Sequence, residues 1–174
     1  MIANLSTAHV IGLSLAVLAC VCDLRTRRIP QVLTLGGALA GVLFHLTTGG
    51  WTAGASSLIG WTIGILIFLA PFALGGLGGG DVKLLGALGA WFGPAQAVWL
   101  GLYAGAAGLV LAIVYSLATG YLKKAVTNVI VLLTFWRVNG VKPLPEMTLA
   151  HGTGPRMAYA VPILAGTVMT MWLR

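Results

Sequence analysis

Apolar runs separated by short polar or glycine-rich gaps dominate the chain, and their lengths predict membrane-crossing helices. The first run extends from about Leu5 to Cys22 and is followed by Arg25, Arg27 and Arg28. Ile29-Pro30 then breaks the chain, and Pro30 suits the first turn of a second helix reaching about Thr47. Thr48-Gly49-Gly50 predicts a turn, and a third run spans about Thr52 to Leu74. The stretch Gly75 to Gly80 is too glycine-rich for a stable helix. A short apolar segment, Val82 to Phe92, ends at Gly93-Pro94. A long run from about Ala95 to Ala118 and a last one from about Met157 to Leu173 complete the pattern. The expectation is an all-α, polytopic membrane bundle of six transmembrane helices, with residues 1–174 forming a single transmembrane domain.

Composition agrees. Of 174 residues, 59% are hydrophobic and only 7% charged, with a mean hydropathy of +0.99. Soluble domains carry roughly 25% charged residues, so this chain is not clothed for water, and its apolar content rules out a disordered one. The net charge of +7 would fit nucleic-acid binding. Here, however, the basic residues flank apolar runs without interleaved aromatics, so topology explains them and no nucleic acid is expected. With the loop after the first run in the cytosol, Arg25, Arg27, Arg28, Lys83, Lys123, Lys124, Arg137, Lys142 and Arg156 all lie inside. Only Arg174 lies outside, a strong positive-inside bias that sets both termini outside. The first run lacks a basic stretch ahead of it and a small-residue cleavage site, so it does not read as a removable signal. Cys20 and Cys22 lack the spacing of a zinc or redox pair and read as inert thiols.

Residues 121–137 break the pattern. Lys123, Lys124, Thr127, Asn128, Thr134 and Arg137 fall within one half of a helical wheel whose other half is apolar, which predicts an amphipathic helix lying in the membrane interface. Residues 138–156 read as a cytosolic loop. The fourth span is short. Eleven residues reach about 17 Å of a ~30 Å hydrocarbon core, so Gly80-Asp81 enters the bilayer's depth or faces a wet cleft. Gly101, Gly105 and Gly108 have the spacing of close helix contact. Trp51, Trp91, Trp99, Trp136 and Trp172 fall near span ends, where an aromatic belt would sit, and Trp61 reads as packing within the third span.

The chain has three acids, Asp23, Asp81 and Glu146. Asp23 ends the first span and Asp81 begins the fourth, both at the cytosolic face, and carboxylates at membrane depth are functional candidates. Two carboxyls that meet share a proton, because each disfavours ionisation of the other. Peptide hydrolysis by an aspartic pair needs that asymmetry: the ionised member draws a proton from water while the protonated one donates to the scissile carbonyl. Gly78 and Gly80 would let an extended substrate backbone approach, and Lys83 would favour an ionised neighbour. The competing reading makes both aspartates solvated partners of the nearby Arg and Lys residues. His9 and His45 fall near the outer face: fourteen residues, about 21 Å of helix, separate His9 from Asp23. His151 lies in the cytosolic loop. No histidine, serine or metal cluster forms a rival site, and no metal or organic cofactor is expected.

Asp23-Leu24-Arg25-Thr26-Arg27-Arg28-Ile29-Pro30 after a first span, with Gly78-Gly79-Gly80-Asp81-Val82-Lys83-Leu84 before a fourth, resembles the type IV prepilin peptidases, GxGD membrane aspartic proteases. The likeness covers nearly the whole chain. It departs at Gln31, where members often carry Asn, and it lacks the paired CxxC insertion of the bifunctional members. The resemblance implies that Asp23 and Asp81 are catalytic. It also implies that the protein cuts the basic leader from prepilins or pseudopilins at the cytosolic face of the bacterial inner membrane. Peptidase activity without N-methylation is the expectation, as in the short members serving tight-adherence (Flp-type) pili. The lipid bilayer is the other expected partner, and a homodimer is compatible with the sequence. The rival classes are a small proton- or cation-coupled transporter or channel component and a noncatalytic assembly subunit. A relay would favour acids near mid-membrane.

Overall fold

In a computed structural model, the residues described are 6–142, 144 and 158–173, and among them the chain is helical with no strand. Helix α1, Thr7–Thr26, ends where Arg27 turns left-handed at φ 54° and its N–H bonds back to the Asp23 carbonyl at 2.9 Å. A wide turn, Val32–Gly36, follows Pro30 and leads into α2, Gly37–Ala73. α2 is not one rod. Gly50, at φ 71° and ψ −164°, breaks it into segments 37–49 and 51–73, which match the expected second and third spans. Left-handed φ is nearly free for glycine alone. Helices α3 (Gly79–Phe92), α4 (Pro94–Ala118), α5 (Leu122–Asn139) and α6 (Ala160–Leu173) follow.

α1, the 32–73 stretch and α4 are each long and apolar enough to cross a membrane, and α6 is a shorter apolar helix. Their outer faces expose large apolar side chains such as Val10, Leu18, Leu39, Leu102 and Leu109. Water would penalise that surface and hydrocarbon would not. Hydroxyls in the apolar helices turn back to carbonyls four residues earlier, as Ser14 does to Val10 and Thr62 to Leu58. The expected loop 138–156 falls largely outside the described residues, and so do Glu146, His151 and Arg156. α5 is the expected amphipathic helix, and none of its residues is buried.

α3 is the centre of the bundle. From Leu84 onward it is apolar all round, as an enclosed helix must be, and it packs against α1, α2 and α4. Leu84, Leu85, Ala87 and Leu88 are each 0% exposed. α2 approaches it through Gly60 and Gly64, a small-xxx-small pair that lets backbones touch. A Cβ at Gly64 would stand 2.5 Å from the Leu85 carbonyl oxygen. The glycines expected to make close contacts on α4 divide: Gly101 lies against Ile67 and Gly108 against Tyr159, but nothing lies within 4 Å of a Cβ at Gly105. Gly105 instead lines an open groove.

α3 ends at Phe92 and Gly93 leaves helical geometry at φ 82°, so the carbonyls of the last turn, Ala90 and Trp91 among them, have no donor four residues on within the helix. α2 supplies the missing donors: Ser57 Oγ bonds Ala90 O at 2.7 Å, and His45 Nε2 lies 3.0 Å from Trp91 O. Trp91 Nε1 in turn donates to Gly37 O at 2.9 Å, and this indole is buried rather than part of an aromatic belt. The expectation for Trp91 was wrong because a free indole N–H can seek a carbonyl inside the bundle as well as an interface. Trp51 and Trp172 are exposed at 81% and 73%, consistent with the belt.

Candidate active site

Asp81 is the third residue of α3. Its Oδ2 reaches back to the Gly78 N–H at 3.2 Å, satisfying a donor that the helix's first turn leaves without a partner. This is half of a capping box, the half that a glycine N-cap permits. It also explains a departure from expectation: the glycine run does not stay irregular to Gly80, because Gly79 and Gly80 join the helix that Asp81 closes.

Asp23 projects from the last turn of α1. Its Oδ2 accepts the backbone N–H of Ala160, the first residue of α6, at 3.3 Å. The donor lies 137 positions along the chain. Both carboxylates are buried, Asp23 at 8% and Asp81 at 9% exposure, which argues against solvated surface ions. Asp81 lies within the electrostatic field of Asp23, although the two come from different helices. The two motif halves also touch: a Cβ at Gly80 would stand 3.4 Å from that of Ile29. At Gly78 it would stand 3.0 Å from Asp81 Oδ2, so Gly78 leaves room for the carboxylate itself. Lys83 is half-buried one turn into α3.

The histidines lie elsewhere. His9 stacks on Phe92 with centroids 5.5 Å apart, and His45 bonds Trp91, both at the end of α3 remote from Asp81. Cys20 is buried and Cys22 half-buried, and both are free thiols. An open apolar groove of about 460 Å³ lies beside the site. Phe68, Pro71, Leu77, Gly105 and Tyr159 are among its lining residues. Tyr159 packs edge-on against Phe68 at 5.7 Å and directly precedes Ala160. Sequence reasoning missed the Ala158–Ala160 segment, since a backbone donor leaves no mark in residue identity.

The sequence profile of the type IV leader peptidase family matches residues 10–113, more than half the chain and including both aspartates. The chain belongs to that family. The prepilin leader peptidase/N-methyltransferase of Pectobacterium carotovorum subsp. carotovorum is 34% identical over 110 residues, which is 59% of this chain and 39% of that protein. The chain thus spans well under two thirds of the curated relative it matches. No solved structure matches. Family membership and the apolar helices together make this leader peptidase relative an integral membrane protein.

Proposed function

We propose that the protein is a membrane-embedded aspartic endopeptidase that removes the basic leader of Flp-like prepilins at the cytosolic face of the inner membrane. The observation that carries this reading is the pair of buried carboxylates from α1 and α3, each anchored by a backbone N–H, with Asp81 in the field of Asp23. Two such groups cannot both ionise freely, so one holds a proton while the other takes one from water. The activated water attacks the scissile carbonyl as the protonated partner donates to the carbonyl oxygen; the proton taken from water then passes to the leaving nitrogen, and collapse of the tetrahedral intermediate expels the amine and returns a proton from the gem-diol to the dyad. Both aspartates sit at one end of the bundle, which suits chemistry at a membrane face better than a relay across the membrane. The relative's name also carries a methyltransferase activity; only the peptidase half is proposed for this chain.

The test uses the full chain reconstituted in nanodiscs and a synthetic prepilin-like peptide with a basic leader ahead of an apolar helix. Leader removal is expected, and it should fall at least a thousandfold in both Asp23→Asn and Asp81→Asn, since each role needs its own carboxyl. Cleavage that persists in either variant removes that aspartate from the mechanism.

A further inference from the structure

We propose that the backbone amide of Ala160 is a positioning group for Asp23, so that the dyad is completed by the start of the last helix. The inference rests on the aspartic reading above and adds to it a third segment that neither motif contains.

An aspartate side chain has two rotatable bonds, and burial alone does not choose among its rotamers. Asp81 solves this locally, through Gly78 three residues earlier. Asp23 is held from another helix: its Oδ2 accepts the N–H of Ala160. Ala160 is 0% exposed, so no solvent competes for that N–H. A backbone N–H only donates, and it therefore favours the carboxylate orientation that turns an oxygen toward it. Hydrogen bonds to charged groups are also the strong ones.

The donor is itself held. Tyr159, one residue before, is wedged between Phe68 of α2 and Gly108 of α4, where any side chain would meet its ring and hydroxyl. The Val161 amide is engaged separately, bonding Ala158 O at 3.2 Å. The amide that faces Asp23 is thus aimed by packing on two other helices.

The test replaces the Ala160 amide by an ester, incorporating lactic acid at position 160 during cell-free synthesis of the full chain into nanodiscs. This deletes one N–H and leaves the side chain unchanged. A matched ester at Val161 deletes the neighbouring N–H, which does not touch Asp23. With the prepilin-like peptide, the position-160 ester should lower kcat roughly ten- to a hundredfold, the worth of one hydrogen bond to a charged group. KM should stay near the parent value, and the position-161 ester should keep kcat within about threefold. Equal losses in the two esters, or no loss at 160, overturn the proposal.

A second measurement does not depend on activity. With ¹⁵N-alanine labelling, the Ala160 amide proton should move upfield in Asp23→Ala, and an unmoved resonance also overturns the proposal. If Asp23→Asn itself cleaves normally, the aspartic reading fails instead, and that outcome is distinct from failure of the anchor.

Discussion

Gly64→Ala and Gly105→Ala add the same methyl group to helix interiors, and the structure assigns them opposite effects. In isolation each change favours the helix by about 1 kcal/mol. At Gly105 nothing stands within 4 Å of the new Cβ, so that gain survives. At Gly64 the Cβ would lie 2.5 Å from Leu85 O and 2.9 Å from both Leu85 C and Gly86 Cα, where ordinary contact begins at 3.4 Å. Opening 2.5 Å to 3.4 Å requires 0.9 Å of separation between α2 and α3. The obstacle is backbone in the most buried helix of the bundle, with no flexible side chain to swing aside. Overpacking of this kind costs about 3 kcal/mol or more at its upper end, leaving a net loss of about 2 kcal/mol after the propensity gain. At roughly 2–4 °C per kcal/mol for a chain of this size, the unfolding midpoint should fall by about 4–8 °C in Gly64→Ala and rise by about 2–4 °C in Gly105→Ala. Thermal unfolding of the purified protein in one detergent, followed by circular dichroism, measures both. A Gly64→Ala midpoint at or above the parent's would refute the backbone contact between α2 and α3.

Two further outcomes follow from single contacts. Ser57→Ala leaves the Ala90 carbonyl, in the last turn of α3, without the donor that α2 supplies, at a cost of about 1–3 kcal/mol, read in the same unfolding experiment; a midpoint unchanged within error would mean that another donor takes over. Gly78→Ala places a methyl 3.0 Å from Asp81 Oδ2, whereas Gly80→Ala meets Ile29 at an ordinary 3.4 Å, so leader cleavage should fall much further in the first than in the second, and equal losses would count against the carboxylate geometry described above.

What the sequence disclosed depended on how scarce each residue type was. With three acids in the chain, two at matching span ends were conspicuous, and the fold buries both, with Asp81 in the field of Asp23. Spans bounded by Pro30, Gly50 and Pro94 were legible because each residue dictates backbone geometry wherever it falls. Glycine was legible in kind but not in place. With 25 glycines available, small-residue spacing on α4 attracted attention, yet Gly105 faces a groove, and the tightest backbone approach was set by Gly60 and Gly64. The spacing signal is identical in both helices, and only the position of the neighbouring helix separates them. Trp91 misled for a related reason: its place near a helix end fits both an interfacial belt and a buried bond to Gly37. The Ala160 donor had no signature at all, since every residue except proline carries the same N–H.

These ties divide the candidate site between two parts of the bundle. Asp81 belongs to α3, and α3 is bound to α2 along its length: by Gly60 and Gly64 through its middle, and by Ser57 and His45 at its far end. Asp23 belongs to α1 and is tied to α6, which packs on α4. Direct contact between the two parts near the site runs through α1 against α3, through Ile29 against Gly80 and through Phe68 of α2 against Tyr159. A perturbation at the far end of the α2–α3 seam, at Ser57 or His45, therefore acts on the helix that carries Asp81, whereas one at Phe68 or Tyr159 acts on the Asp23 anchor. That arrangement gives the Ile-Pro and glycine motifs a shared physical purpose: each lies where one carboxylate-bearing part meets the other, so together they set the separation on which the proposed sharing of a proton depends.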